Sequence, residues 1–207
     1  MYPINPPSWS GAAHARNLSA AALRMAYRMN VHGAHHVGTI GPLVMVCRAE
    51  GILTGSVLQS TVTRPIHVLA NAAMQSTLAE GVLAKAGMIP VVPPFAIDAQ
   101  RAALAALADD RAVAVTGSHV PVGYLVAASG APVMPVTILG VDGRVPTDPP
   151  RPRSVIDVYF SEPVRLSVTG DPLRPSTRVA VEEQVRQLVA DHDELAARRS
   201  GRVSLEG

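Results

Sequence analysis

The stretch GPLVMVCRAEGILTG, Gly41 to Gly55, decides how the rest of the chain is read. Its first half is a short continuous apolar run, Leu43 to Cys47, of the kind that forms a strand buried on both faces of a sheet. Its second half is a turn bounded by Gly51 and Gly55, and it opens into a segment that can start a helix at Thr54 or Ser56. A buried strand delivering its chain into a glycine-bounded turn is where α/β proteins place catalytic groups. This turn carries Glu50 and two glycines, and neither a histidine nor an aspartate.

Outward from this stretch, strand and helix signals alternate. Ile66–Ala70, Met88–Val92, Ala112–Thr116 and Val133–Leu139 read as strands. Between them, Ser56–Val62, Thr77–Ala86, Ala96–Ala108 and Val122–Ser129 read as helices, the last stopped by Gly130. Asp98 sits near the positive end of its helix. The order predicts an α/β fold: a single domain with a largely parallel central sheet flanked by helices. Before it, residues 1–30 read as an irregular arm and a short helix capped by Asn17 or Ser19 and ending near Asn30. Residues 31–200 form the domain and 201–207 a frayed tail. The loop after Leu139 is too rich in Pro and Gly for regular structure. Val155–Phe160 alternates in the manner of a sheet margin. From Ser176 an amphipathic helix shows Val181, Val185, Leu188, His192 and Leu195 on one face.

Composition narrows the function. At 207 residues and 48% apolar, the chain buries a core. Aromatics are 3%, which argues against a stacking surface for single-stranded nucleic acid, and a net charge of +2 gives little pull on any polyanion. No nucleic-acid partner is expected. Lys85 is the only lysine; that arginine bias with high Ala and Val content reflects a GC-rich genome more than a function. Cys47 is the only cysteine, so no internal disulfide and no cysteine-based zinc site is expected, and its apolar setting suits a small hydrophobe. The first residues, MYPINPPSWSG, lack a signal-peptide pattern, and no run approaches the ~20 apolar residues of a membrane-spanning helix. A cytoplasmic protein is expected, with peripheral membrane contact through the short N-terminal helix left open.

The blocks, in order, resemble the glycerolipid acyltransferases, in particular the lysophosphatidic acid and glycerol-3-phosphate acyltransferases. The resemblance runs from about Val31 to Val164. HGAHHVGTIGPLVMVC resembles the family's opening strands, and RPIHVLANAAM the strand and turn after its first motif. LAKAGMIPVV resembles the second motif, with Gly87, Ile89 and Pro90 matching. GYLVAASGAPVMPVTILG resembles the last motif, with Pro135 and the closing Gly140. SEPVRL resembles the terminal segment, with Ser161 in place of glycine.

What the resemblance implies about chemistry is less uniform. The family's H-x-x-x-x-D follows the first long strand. Its histidine takes a proton from an acceptor hydroxyl that attacks an acyl thioester, and its aspartate orients the imidazole. Here the histidine position is Glu50, the aspartate position is Gly55, and Ala49 stands where an asparagine usually precedes the histidine. The arginine of the second motif is replaced by Pro93. The third motif, typically F-P-E-G-T-R, corresponds to AVAVTGSHVPVG, which lacks the glutamate and the arginine. Backbone-shaping positions remain while polar positions of three motifs are gone.

The resemblance therefore implies an acyltransferase-like protein that has lost catalysis and binds an acyl-CoA, an acyl carrier or a lipid, or serves a protein partner. The alternative is an active enzyme that moves an acyl group from such a thioester to a hydroxyl with a diverged site. For that alternative Glu50 is one candidate base. An unperturbed Glu, with a pKa near ~4.3, is a poor base for an alcohol unless burial raises it. Read as a plain turn residue, Glu50 would accept hydrogen bonds from the helix start at Gly55–Ser56. His119, beside Ser118 on the third loop, is the other candidate, and a polar turn is its simpler reading.

Gly117 and Ser118 are candidate ligand-binding residues, offering backbone N–H groups to an anion at the following helix start. His32, His35 and His36 lack a converging set of further ligands, so no metal and no cofactor is expected. His67 reads as a hydrogen-bonded core or rim residue, and His192 as locally paired with Asp191 and Asp193. Arg144, Arg151 and Arg153, with Arg165 and Arg174, are candidates for a basic rim that takes phosphate head groups or an acidic partner.

Overall fold

The structure is a computed structural model and describes residues 9–38, 40–71, 87–91, 97–117, 121–145 and 147–201. Seven strands carry the fold: β1 (Arg28–His32), β2 (Leu43–Cys47), β3 (Ile66–Asn71), β4 (Ile89–Val91), β5 (Ala112–Thr116), β6 (Val133–Leu139) and β7 (Val155–Phe160). They form one sheet in the order β1-β7-β6-β2-β5-β3-β4. Strands β2 to β6 run parallel, β7 runs antiparallel to β6, and β1 runs parallel to β7. The result is a single α/β domain with a mostly parallel sheet.

The apolar runs give strands with two buried faces, as alternation within them shows. Leu43, Met45 and Cys47 face one side with Ile66, Val68, Ala112 and Ala114, under α1 (Trp9–Ala26) and α2 (Thr54–Thr61). Val44, Val46, Val113 and Val115 face the other, under α3 (Ile97–Ala108), α4 (Val122–Ser129) and α5 (Pro175–Ser200). Strand β2 pairs with β5 along all five residues and with β6 on its other side, and β5 pairs with β3, so the backbone polar groups of both strands find partners where water cannot reach.

Several sequence expectations need correction. The N-terminal helix starts at Trp9, before the expected caps at Asn17 and Ser19, and ends at Ala26; the residues expected to finish it form β1. RMNVH shows no strand alternation because its side chains are mostly exposed, and its strand form comes from pairing with β7, including Asn30 Nδ2 donating to Asp157 at 2.8 Å. Strand β7 is not at the margin. It lies between β1 and β6 and is buried along most of its length, with Asp157 accepting the Asn30 bond. Helix α2 has Leu53 at its cap without a side-chain hydrogen bond; Thr54 is buried instead of capping. On α5 the buried row is Thr177, Val181, Val185 and Val189, an i, i+4 line, continued by Ala196 seven residues on, and Leu195 turns outward. The helix expected over Thr77–Ala86 lies outside the described residues.

Candidate functional site

Parallel pairing of β2, β3, β5 and β6 brings their C-terminal ends to one edge. The chain leaves β2 for β3, beyond β5, and later leaves β5 for β6, on the opposite side of β2. That reversal makes the edge above β2 a topological switch point, the usual place for a ligand cleft in an open parallel sheet. The turn from Arg48 to Leu53 occupies this place.

Two glycines fit the turn to its surroundings. Gly117, at φ +75°, ends β5, and a Cβ there would lie 3.1 Å from Glu50 Cγ and 3.2 Å from its Oε1. The Glu50 carboxylate thus lies over the end of β5 in a space that exists because residue 117 has no side chain. Gly51 faces the other way: a Cβ would lie 2.9 Å from the Val141 carbonyl oxygen just past β6. The turn is wedged between the ends of β5 and β6, with Glu50 exposed at its tip.

Gly55, five residues on, has its back to the sheet in the first turn of α2. A Cβ would meet Met88 Cε at 3.2 Å and Val68 Cγ1 at 3.3 Å. Val68 is fully buried and Met88 nearly so. The position where the resemblance puts an orienting aspartate is therefore filled by two apolar side chains. From sequence, Gly55 could be seen; Val68 and Met88, from two other segments, could not.

The anion site expected at Gly117 and Ser118 meets two obstacles. The Gly117 N–H donates to the Cys47 carbonyl at 2.9 Å, extending the β2–β5 ladder. At the start of α4 the Gly123 N–H donates to Glu182 Oε2 of α5 at 2.5 Å, so a carboxylate of the protein already stands where an anion would bind. Glu182 was not singled out from sequence; a glutamate 59 residues away gives no local capping signal. Ser118 and His119 lie outside the described residues.

The remaining candidates scatter. Burial pushes the Cys47 thiol up to about 12, so it stays protonated and inert. His67 is buried on β3 with Nδ1 3.0 Å from the Gly87 carbonyl oxygen, and burial lowers its pKa. His32 stacks on Tyr159, with ring centroids 4.6 Å apart, while His35 and His36 sit on the 3-10 turn Ala34–Val37. Among the described residues no three His, Cys, Asp or Glu converge as a metal site. His192 bonds the Tyr159 carbonyl through Nε2 at 3.0 Å, rather than pairing with its aspartate neighbours, which bind Gln187 and Thr137. The arginines do not form one rim. Arg165 donates to the Gly130 carbonyl that ends α4, whereas Arg144 and Arg151 line a groove of about 850 Å³ in the loop between β6 and β7. No helix among the described residues is long and apolar enough to cross a membrane.

No protein-family model matches the sequence, and no curated protein does. A solved structure does: that of the 1-acyl-sn-glycerophosphate (LPA) acyltransferase PlsC from Thermotoga maritima. The two share 17% identity at a TM-score of 0.60, over 87% of this chain and 78% of that one. At that identity the likeness speaks for the architecture, and this chain has the α/β fold of an LPA acyltransferase.

Proposed function

We propose that this chain is an acyltransferase-fold protein that has given up acyl transfer and retains binding: of an acyl chain, an acyl-CoA or acyl carrier, or a lipid, alone or as the partner of another subunit. The observation that carries this reading is the filled space at Gly55. Deprotonating an alcohol at neutral pH needs a base of matched pKa held in the correct orientation. In the register of the resemblance the base position is Glu50. Its would-be orienting partner is a glycine backed by Val68 and Met88 at 3.2–3.3 Å from where a side chain would begin. Of the amides near the third loop, that of Gly117 is committed to the Cys47 carbonyl and that of Gly123, at the start of α4, to Glu182. The scaffold that positions the turn is intact, and function follows such sites rather than the fold.

The test is an assay of purified protein with palmitoyl-CoA and lysophosphatidic acid, following free thiol, alongside titration with palmitoyl-CoA alone. The expected result is saturable binding with no thiol release above buffer. Thiol release that disappears in Glu50→Gln would overturn the reading in favour of an active acyltransferase with a diverged site.

A further inference from the structure

The groove between β6 and β7 has a construction that the reading above does not use. Its loop is built rather than slack. A Cβ on Gly143 would lie 2.2 Å from the Asp148 carbonyl oxygen, so only glycine fits, and the Asp148 N–H closes the turn on the Val145 carbonyl at 2.9 Å. Farther on, the buried Pro150 receives the Tyr27 hydroxyl at 3.3 Å. Arg153 takes a left-handed φ of 65°, and its N–H donates to the Ala26 carbonyl at 2.7 Å. The Arg28 N–H donates to the Ser154 carbonyl at 3.0 Å. The groove is thus fastened to the corner where α1 becomes β1.

Its lining is doubly charged. Arg144 and Arg151 share it with Asp142 and Asp148, yet no ion pair among the described residues joins either arginine to either aspartate. Ser154 lines the same groove, and its hydroxyl oxygen is buried without a hydrogen-bond partner among the described residues. Buried hydroxyls in native proteins are normally satisfied, so this one has a donor and an acceptor to offer. The volume, about 850 Å³, is in the range of small-molecule sites. A Cβ on Gly51 would lie 3.6 Å from Asp142 Oδ1, so the groove abuts the Glu50 turn on the same sheet edge.

We propose that this groove binds a zwitterionic phosphoester head group, an ammonium joined to a phosphodiester. Arg144, Arg151 and the Ser154 hydroxyl meet the phosphate, and Asp142 and Asp148 meet the ammonium. Two guanidinium and two carboxylate groups that share a cleft without neutralising each other match a ligand bearing both signs better than a simple polyanion, which the aspartates repel. The proposal deepens the lipid-binding reading and rests on it only for the acyl chain that such a head group would carry.

The test is calorimetric titration of the full chain with sn-glycero-3-phosphoethanolamine, glycerol 3-phosphate and ethanolamine. The expected result is one saturable site for the first ligand, at least tenfold tighter than for either of the others. Arg151→Ala and Asp148→Ala each weaken it tenfold or more. Both side chains belong to exposed residues, so the melting temperature of each variant stays at the wild-type value. No binding, equal binding of glycerol 3-phosphate, or unchanged affinity in Arg151→Ala overturns the proposal.

Vesicles separate the two sources of the same chemistry. Retention on mixed phosphatidylethanolamine–phosphatidylglycerol vesicles, and not on phosphatidylglycerol alone, assigns the head group to a bilayer lipid. Binding of the free phosphodiester without retention assigns it to a soluble ligand. Palmitoyl-CoA binding without head-group binding defeats this proposal and leaves the acyl reading standing; the reverse result defeats the acyl reading alone.

Discussion

Replacing Gly55 by aspartate restores, in sequence, the carboxylate that the acyltransferase resemblance calls for, and the structure says the protein will resist it. The new Cβ would begin 3.2 Å from Met88 Cε and 3.3 Å from Val68 Cγ1, a few tenths of an ångström inside ordinary contact. The carboxyl group adds three more heavy atoms in a buried position. Overpacking of this kind costs about 1–3 kcal/mol. A buried polar group without a hydrogen-bond partner costs about 1–3 kcal/mol more. Against these stand about 0.3–1 kcal/mol from an acidic residue in the first turn of α2 and a few tenths from removing a helical glycine. The net expectation for Gly55→Asp is a loss of about 1–5 kcal/mol. It is measured as a lower urea midpoint with unchanged slope by far-ultraviolet circular dichroism. Adding Met88→Ala opens the space, so in a double-mutant cycle the two changes together cost at least ~1 kcal/mol less than the sum of the single changes. A Gly55→Asp variant within ~0.5 kcal/mol of the wild type would refute the reasoning, because the space behind residue 55 would then be open to a catalytic carboxylate.

Three further outcomes are expected. Gly123→Ala places a Cβ 2.3 Å from the Arg178 carbonyl oxygen and 3.0 Å from the Glu182 nitrogen. These are backbone atoms, so α4 and α5 must part, at a cost of about 2–3 kcal/mol in the same urea assay. Cys47, its thiol held up at about 12 by burial, should resist a disulfide reagent at pH 8 in the folded protein and react fully in denaturant. His67 has a pKa lowered from 6.5 by burial, then lowered further by Arg111 and partly offset by the Gly87 carbonyl. The unfolded chain therefore takes up a proton below about pH 6.5 that the folded chain refuses. Stability falls as pH drops through that range, by up to about 1.4 kcal/mol per pH unit, and His67→Gln removes this component of the pH dependence.

The legible parts of the fold were those in which local pattern and tertiary environment agree. Leu43–Cys47, Ala112–Thr116 and Val133–Leu139 are apolar on both faces because the strands are covered on both faces, and their limits could be read directly. Gly130 marks the end of α4 because its left-handed backbone, φ 61°, turns its N–H onto the Val126 carbonyl. Strand β1 was not legible, since its structure is imposed by β7 and its own side chains stay in water. The site divides in the same way. Glu50 and Gly55 could be found as a turn after a buried strand. The residues that decide what the turn can do, Val68, Met88 and Gly117, reach it from other segments, and Glu182 reaches the start of α4 from α5; none carries a mark of that role in its own neighbourhood.

The pairing of β1 with β7 also sets a clock on synthesis. The Asn30–Asp157 contact spans 127 residues, and every backbone partner of β1 in the sheet comes from a strand near the far end of the described chain. At about 5–20 residues per second, a ribosome would make β7 some 6–25 s after β1. During that interval the N-terminal strand has no ladder to join, and its free edge is open to the same segment of another nascent chain. The largely exposed RMNVH, without strand alternation, is suited to waiting, because a strand with so little buried apolar surface adheres poorly to anything but its own late-arriving neighbour.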